Sequence, residues 1–218
     1  MKKFAVIGAT GLVGGAVVKE LAERGHNITA FARNIDKVYQ ADNVQAVAVD
    51  VNNPDFSDKL IGFDAVVNAF NAGWQNPNIV NDLQTGHANI LSAVKRADVP
   101  YVLVVGGAGS LNVAPNLQLV DTPDFPADVY PAANVVRELL GELRTRTDIN
   151  WAFLSPAVMF AINPVSSEKT GTYRIGQDDV LTNADGSPAD ISVADLAVAI
   201  ADDIEQKAHL HQRFTVAN

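Results

Sequence analysis

The chain has 218 residues, 48% hydrophobic and 19% charged, with 25 acidic against 16 basic side chains for a formal net charge of -9, and no cysteine. This length suits one α/β domain, and the apolar share is enough for a sizeable core and too high for a disordered chain. The acidic balance argues against nucleic acid as a partner, because that binding rests on Lys and Arg neutralising phosphates. The missing cysteines exclude disulfides, thiolate nucleophiles and Cys-based metal sites.

Residues 3–7 are rich in Phe, Val and Ile and end at Gly8, which predicts a buried strand. Lys2 and Lys3 ahead of this apolar run imitate a signal peptide. Gly8, Gly11, Gly14 and Gly15 interrupt the run, however, so a cytoplasmic location is expected instead. Val13, Val17, Val18 and Leu21 follow at helical spacing until Gly25. Strands are predicted at 27–32, 44–49 and 65–69. A long helix follows over 79–96, with Ile79, Leu83, Ile90 and Val94 on one face. A fifth strand at 101–105 runs into Gly106-Gly107, a helix over 132–146 carries Val135, Val136, Leu139 and Leu143, and a sixth strand occupies 150–154.

The remainder differs in composition. Residues 164–187 are rich in Gly, Ser, Thr and Asp, with a short strand candidate at 172–175 and a solvated turn acid pair at Asp178-Asp179. Ser192, with Asp195 three residues on, resembles a capping box for a helix carrying Val193, Leu196, Ala197, Ile200 and Ile204. Residues 213–216 suggest a last strand. No stretch approaches the roughly 20 apolar residues that span a bilayer, so no membrane partner is expected.

Short apolar strands separated by amphipathic helices imply parallel pairing, since a parallel pair needs a crossover connection. Near-continuous apolar strands imply that both sheet faces are covered. The expected fold class is therefore α/β: a doubly wound parallel sheet with helices on both faces and a small substrate-side elaboration near the C-terminus, in one domain over 1–218.

The strongest motif is Gly8-Ala9-Thr10-Gly11-Leu12-Val13-Gly14. It follows a strand and opens a helix, the context in which three spaced glycines carry meaning. The first allows a sharp turn, the second lets backbone amides approach a pyrophosphate, and the third permits close helix–sheet packing. The helix N-terminus adds unpaired N–H groups and partial positive charge. Phe31-Ala32 leads to Arg33, with no acid before Asp36. An acid at this point would bind a ribose 2′-hydroxyl, whereas Arg suits a 2′-phosphate, so NADP is preferred over NAD. Asp50 either flanks the adenine with Val51 or caps the loop that follows.

Together these residues resemble the atypical short-chain dehydrogenase/reductase superfamily, with its Rossmann fold. The closest likeness is to small NAD(P)H-binding proteins described as NADH-flavin reductases or as similar to NmrA and biliverdin reductase B. Besides the loop, the resemblance rests on Asn68-Ala69-Phe70-Asn71, on 105–110, on Ser155-Pro156-Ala157 and on the tail at 191–197. It implies that Gly8, Thr10, Gly11, Leu12 and Val13 hold the pyrophosphate and Arg33 the 2′-phosphate. It places Asp50 and Val51 near adenine, Ala69, Phe70 and Asn71 along the ribose path, and Gly107 and Pro156 against the nicotinamide.

The superfamily's Tyr-x-x-x-Lys pair is missing. Four residues after Tyr39, Tyr101, Tyr130 and Tyr173 stand Asn43, Val105, Asn134 and Gln177. Tyr130 is in roughly the family's position without its lysine, and Ser110 stands where a substrate-orienting hydroxyl would be; these two are the candidate catalytic residues. Flavins and quinones accept hydride without an enzyme-supplied phenol, so a flavin, a quinone or a similar flat acceptor is the expected partner. Phe70, Trp74, Tyr130, Met159 and Phe160 are candidate pocket residues, and 115–128 a candidate lid. The alternatives are a non-catalytic NmrA-like dinucleotide sensor and a sugar-nucleotide epimerase or dehydratase. A monomer or homodimer is expected. His209 and His211 lack a third ligand, so no metal is expected; His26 and His87 read as structural or surface residues.

Overall fold

The computed structural model describes residues 1–218, Ala161 by its backbone alone. The chain runs β1 (Lys3–Ile7), α1 (Leu12–Glu23), β2 (Asn27–Ala32), β3 (Val44–Ala48), β4 (Ala65–Asn68), α2 (Ile79–Arg96), β5 (Val102–Val105), β6 (Asn112–Ala114), β7 (Leu117–Gln118), α3 (Tyr130–Thr145), β8 (Trp151–Pro156), β9 (Arg174–Gly176), α4 (Val193–Gln206) and β10 (Gln212–Ala217). Eight of the strands form one sheet in the order β3-β2-β1-β4-β5-β8-β10-β9. The pairs are parallel except that β9 runs antiparallel to β10. The strand order reverses between β1 and β4, and in such sheets ligands lie beyond the carboxyl ends of the strands at that point.

Alternation along β1 divides the core. Phe4 and Val6 pack with Val17, Val18 and Leu21 of α1 and with Leu196 and Ile200 of α4 on one face. Ala5 and Ile7 pack with Ile90 and Val94 of α2 and with Leu139 and Leu143 of α3 on the other. Each such buried aliphatic side chain contributes about 1.5–3 kcal/mol relative to exposure, so the doubly wound arrangement follows from a sheet apolar on both sides.

Three features differ from the sequence reading. A 3-10 segment, Pro54–Leu60, buries Phe56 and Leu60 beside β2 and is capped by Asn53, whose side chain accepts from Asp55 N at 2.9 Å. The residues expected to form a lid begin inside a two-stranded hairpin, β6-β7, which turns through Asn116 at φ +60. Asp178 is not merely a solvated turn acid: Arg213, 5% exposed on β10, reaches it at 2.5 Å, and Arg144 at 2.7 Å. A carboxylate is required there because the buried guanidinium has no water to solvate it.

The capping box at Ser192 forms by half. Its hydroxyl accepts from Asp195 N at 3.0 Å, but Ser192 N donates to Asn218. The Asp195 carboxylate, fully buried, instead accepts from Thr170 N, Gly171 N, Thr170 Oγ1 and Asn218 Nδ2 at 2.7–3.0 Å. Burial pushes its pKa up, the donors from Thr170, Gly171 and Asn218 pull it down, and the donors prevail. This one side chain fastens the 164–173 region and the C-terminus to α4. No helix is long and apolar enough to cross a membrane among the described residues.

Candidate functional site

The turn from β1 into α1 is fixed by its glycines. Gly8 takes φ +80, and a Cβ there would lie 2.3 Å from Ala69 O, so the backbone after β4 is seated directly on it. A Cβ on Gly14 would lie 2.2 Å from Gly8 O, so α1 leaves the strand end at a distance only glycine permits. Gly8 N and Ala9 N donate to Phe31 O, Gly11 N to Gly8 O, and Gly15 N to Gly11 O. That leaves the N–H groups of Thr10, Leu12, Val13 and Gly14 without an acceptor among the described residues. Thr10, Gly11 and Leu12 are exposed. Several unpaired amides at an exposed helix N-terminus are the donor set that a diphosphate requires.

Arg33 leaves the end of β2 exposed, and no described side chain or carbonyl accepts from it. Asn34 closes the following turn by accepting from Asp36 N at 2.9 Å. Asp50 accepts from Asn52 N at 2.9 Å, which makes it a loop cap, while Val51 beside it is buried. Both sit beyond β3, next to the strand that carries Arg33.

The segment 69–71 is held from below. Asn68, fully buried, accepts from Phe70 N at 3.1 Å and contacts His87 Nδ1 of α2 at 3.1 Å through its Nδ2. Burial drives the His87 pKa down to about 4. The neutral ring can therefore accept from the amide, which fixes which way Asn68 points. Phe70 lies edge-on to His87 with centroids 5.5 Å apart, and its ring fills the space over Gly86. Ala69 is half-buried, and the exposed Asn71 accepts from Gly73 N at 2.7 Å. The His87–Asn68 pair was not singled out from the sequence; an Asn ending a buried strand, with a His on the next helix, was the available signal.

Beyond β5, Gly107 is half-buried, and Ser110 is 3% exposed with no partner for its hydroxyl among the described residues. Arg213 lies beneath this segment and donates to Ser110 O at 3.3 Å. Pro156 ends β8 and is buried. Tyr130, exposed at 41%, opens α3 beside a shallow pocket of about 430 Å³ lined by Val120, Asp121, Thr122, Phe125, Ala127 and Tyr130. Asn134 does not serve the phenol. It donates to Glu138 at 2.8 Å and accepts from Arg137. Arg137 is within Coulombic reach of Tyr130, but it is bound to Asp121 at 2.7 Å, the bond that does most to raise its pKa. Trp74 is 66% exposed in the loop after β4. His209 bonds Asp203 at 2.7 Å and stacks on Phe214, a structural engagement.

A family model described as NAD(P)H-binding matches residues 8–204. The uncharacterized protein YwnB of Bacillus subtilis is 41% identical over 218 residues, 99% of this chain and 98% of that one. Among solved structures, a Bacteroides thetaiotaomicron protein provisionally named an epimerase is 35% identical with a TM-score of 0.89, covering 99% of this chain and 96% of that one. A Streptococcus pneumoniae protein provisionally named an NADH-flavin reductase is 34% identical with a TM-score of 0.87, each chain fully covered.

Proposed function

The chain belongs to the NAD(P)H-binding family, and from that premise we propose that it is an NADP-preferring reductase that delivers hydride to a flavin, a quinone or a similar flat acceptor. It acts as one domain over 1–218, in the cytoplasm, as a monomer or homodimer. The amides of Thr10, Leu12 and Val13 bind the pyrophosphate, with Gly8 and Gly11 giving it room. Arg33 meets the 2′-phosphate, Asp50 and Val51 flank adenine, Ala69, Phe70 and Asn71 border the ribose, and Gly107 and Pro156 face the nicotinamide. When bound, the dinucleotide supplies hydride. The protein's share is to orient the acceptor against that face and to exclude water.

The observation that carries this reading is a set of unpaired amides joined to a reaction end with no proton relay. Asn134 stands where the lysine would be and spends both ends of its amide within α3. A carbonyl or sugar substrate would need a phenol activated toward neutral pH; reduced flavins and quinols take protons from water. Ser110 and Tyr130 then contact the acceptor, and Tyr130 contributes surface more than acidity.

NADPH oxidation measured over a panel of flavins and quinones tests this. The expected result is acceptor-dependent oxidation that survives Tyr130→Phe within about threefold, since a proton-donating group contributes about 10²–10⁴. The second reading is a dinucleotide sensor without turnover, favoured by the same Asn134. Tight binding with no oxidation across the panel would select it.

A further inference from the structure

Segments 69–78 and 106–130, after β4 and β5, contain no Lys or Arg, and the loop from β8 to β9 contains one, Lys169, which is bound to Glu20. Their other charges are the carboxylates Asp121, Asp124, Asp128 and Glu168. The far end of the site is the reverse, with Arg33 and Lys37 both exposed after β2.

The cations that approach the acceptor side are already committed. Arg137 is bound to Asp121 at 2.7 Å. Arg213, beneath Ser110, is bound to Asp178 at 2.5 Å, and Arg144 shares that carboxylate at 2.7 Å. Asp124 and Asp128 are exposed and have no partner among the described residues. Two walls of the pocket lined by Val120, Phe125 and Tyr130 also flank Gly109. A Cβ on Gly109 would lie 3.5 Å from Val120 and 3.8 Å from Phe125. Next in the chain is the buried, unpartnered hydroxyl of Ser110.

A hollow walled by Phe125 and the exposed Tyr130, whose phenol can donate or accept, suits a flat ring bearing carbonyl groups. It offers no counter-ion to a phosphate, which would lose hydration without compensation and face two unpaired carboxylates. Resting on the reductase reading above, we infer that the acceptor is an uncharged ring system without phosphate or carboxylate, of the riboflavin or quinone kind. Phosphorylated flavins and nucleotide sugars are rejected by charge rather than by shape.

Two readouts test the inference. Flavin fluorescence is titrated with protein held in saturating NADP⁺, for riboflavin and for FMN, which carry the same ring. NADPH oxidation is then followed with riboflavin, FMN and the neutral quinone menadione. Riboflavin is expected to exceed FMN by about tenfold or more in both affinity and kcat/KM, the order expected for unscreened like charges near a site. The gap should narrow in about 0.5 M NaCl, where screening shortens the reach of exposed charges. The double variant D124K/D128K should raise FMN by about tenfold at low salt and leave riboflavin within twofold. FMN bound and turned over as well as riboflavin by the unmodified protein overturns the inference and leaves the reductase reading standing. Absence of turnover with all three acceptors overturns the reductase reading itself.

Discussion

Adding one methyl group to Gly14 and one to its neighbour Gly15 should have opposite consequences. At Gly14 the new Cβ meets Gly8 O at 2.2 Å, Gly8 C at 2.8 Å and Ala9 Cα at 3.3 Å, all backbone atoms. None can rotate away, so α1 must retreat from the end of β1 by about 1 Å to reach ordinary contact. Overpacking of this kind costs about 1–3 kcal/mol. For a chain of this size each kcal/mol lowers Tm by about 2–4 °C, so a fall of about 2–12 °C is expected. The retreat also carries off the amides of Leu12 and Val13. Losing one well-placed bond to a charged group costs about 1.5–3 kcal/mol, so the dinucleotide Kd should rise by about 10–150-fold. At Gly15 the Cβ meets Ala9 O at 3.5 Å, ordinary contact. There the methyl should leave Kd within twofold and stabilise the helix by up to about 1 kcal/mol through helix propensity. Thermal melts and NADPH fluorescence titrations on Gly14→Ala and Gly15→Ala read both effects. Gly14→Ala binding like the unmodified protein, or Gly15→Ala losing affinity equally, would refute the geometric argument.

Arg33→Ser should weaken NADPH by about 10–100-fold, the worth of one charge-assisted contact, while NADH shifts less than twofold; an equal loss for both dinucleotides would place Arg33 elsewhere. His87 gives a pH signature. Its folded pKa, about 4, is below the ordinary 6.5, so protonation favours the unfolded chain. Its contribution is intact above about pH 6.5 and is lost as pH falls toward 4, at up to about 1.4 kcal/mol per unit. Urea midpoints measured from pH 7 to 4 should show that decline, and His87→Gln should flatten it. An identical slope in the variant would mean that other groups carry the effect.

The parts of the fold legible in the sequence are those whose physics is local and periodic. The bounds of β1, β2 and α2 coincide with the expected 3–7, 27–32 and 79–96, because each is a clean apolar pattern ended by Gly, a turn or a polar run. The start of α3 was expected at 132, yet the helix begins at Tyr130, since Pro131 is accommodated in the first turn, where its missing N–H is not needed. What escaped notice depends on partners far apart in the chain. Arg213 and Asp178 look like ordinary surface charges until β10 carries the Arg inside the sheet. Asp195 looks like half of a capping box until the C-terminus and the 164–173 region converge on it. The same division runs through the site. The glycine loop was readable because its spacing alone encodes a turn and a close approach. The hold of His87 on Asn68, and the bond of Arg137 to Asp121, exist only once two elements are packed together.

The free N–H groups of Thr10, Leu12, Val13 and Gly14 are the proposed seat of a dinucleotide's phosphates. The most direct measurement is a ¹H–¹⁵N titration of isotopically labelled protein with NADP⁺, following the amide resonances of Thr10, Leu12, Val13 and Gly14. Saturable shifts concentrated on those amides and at Arg33, with smaller ones at 69–71, are the expected result. Unmoved resonances in that loop at millimolar NADP⁺ and NADPH would contradict it.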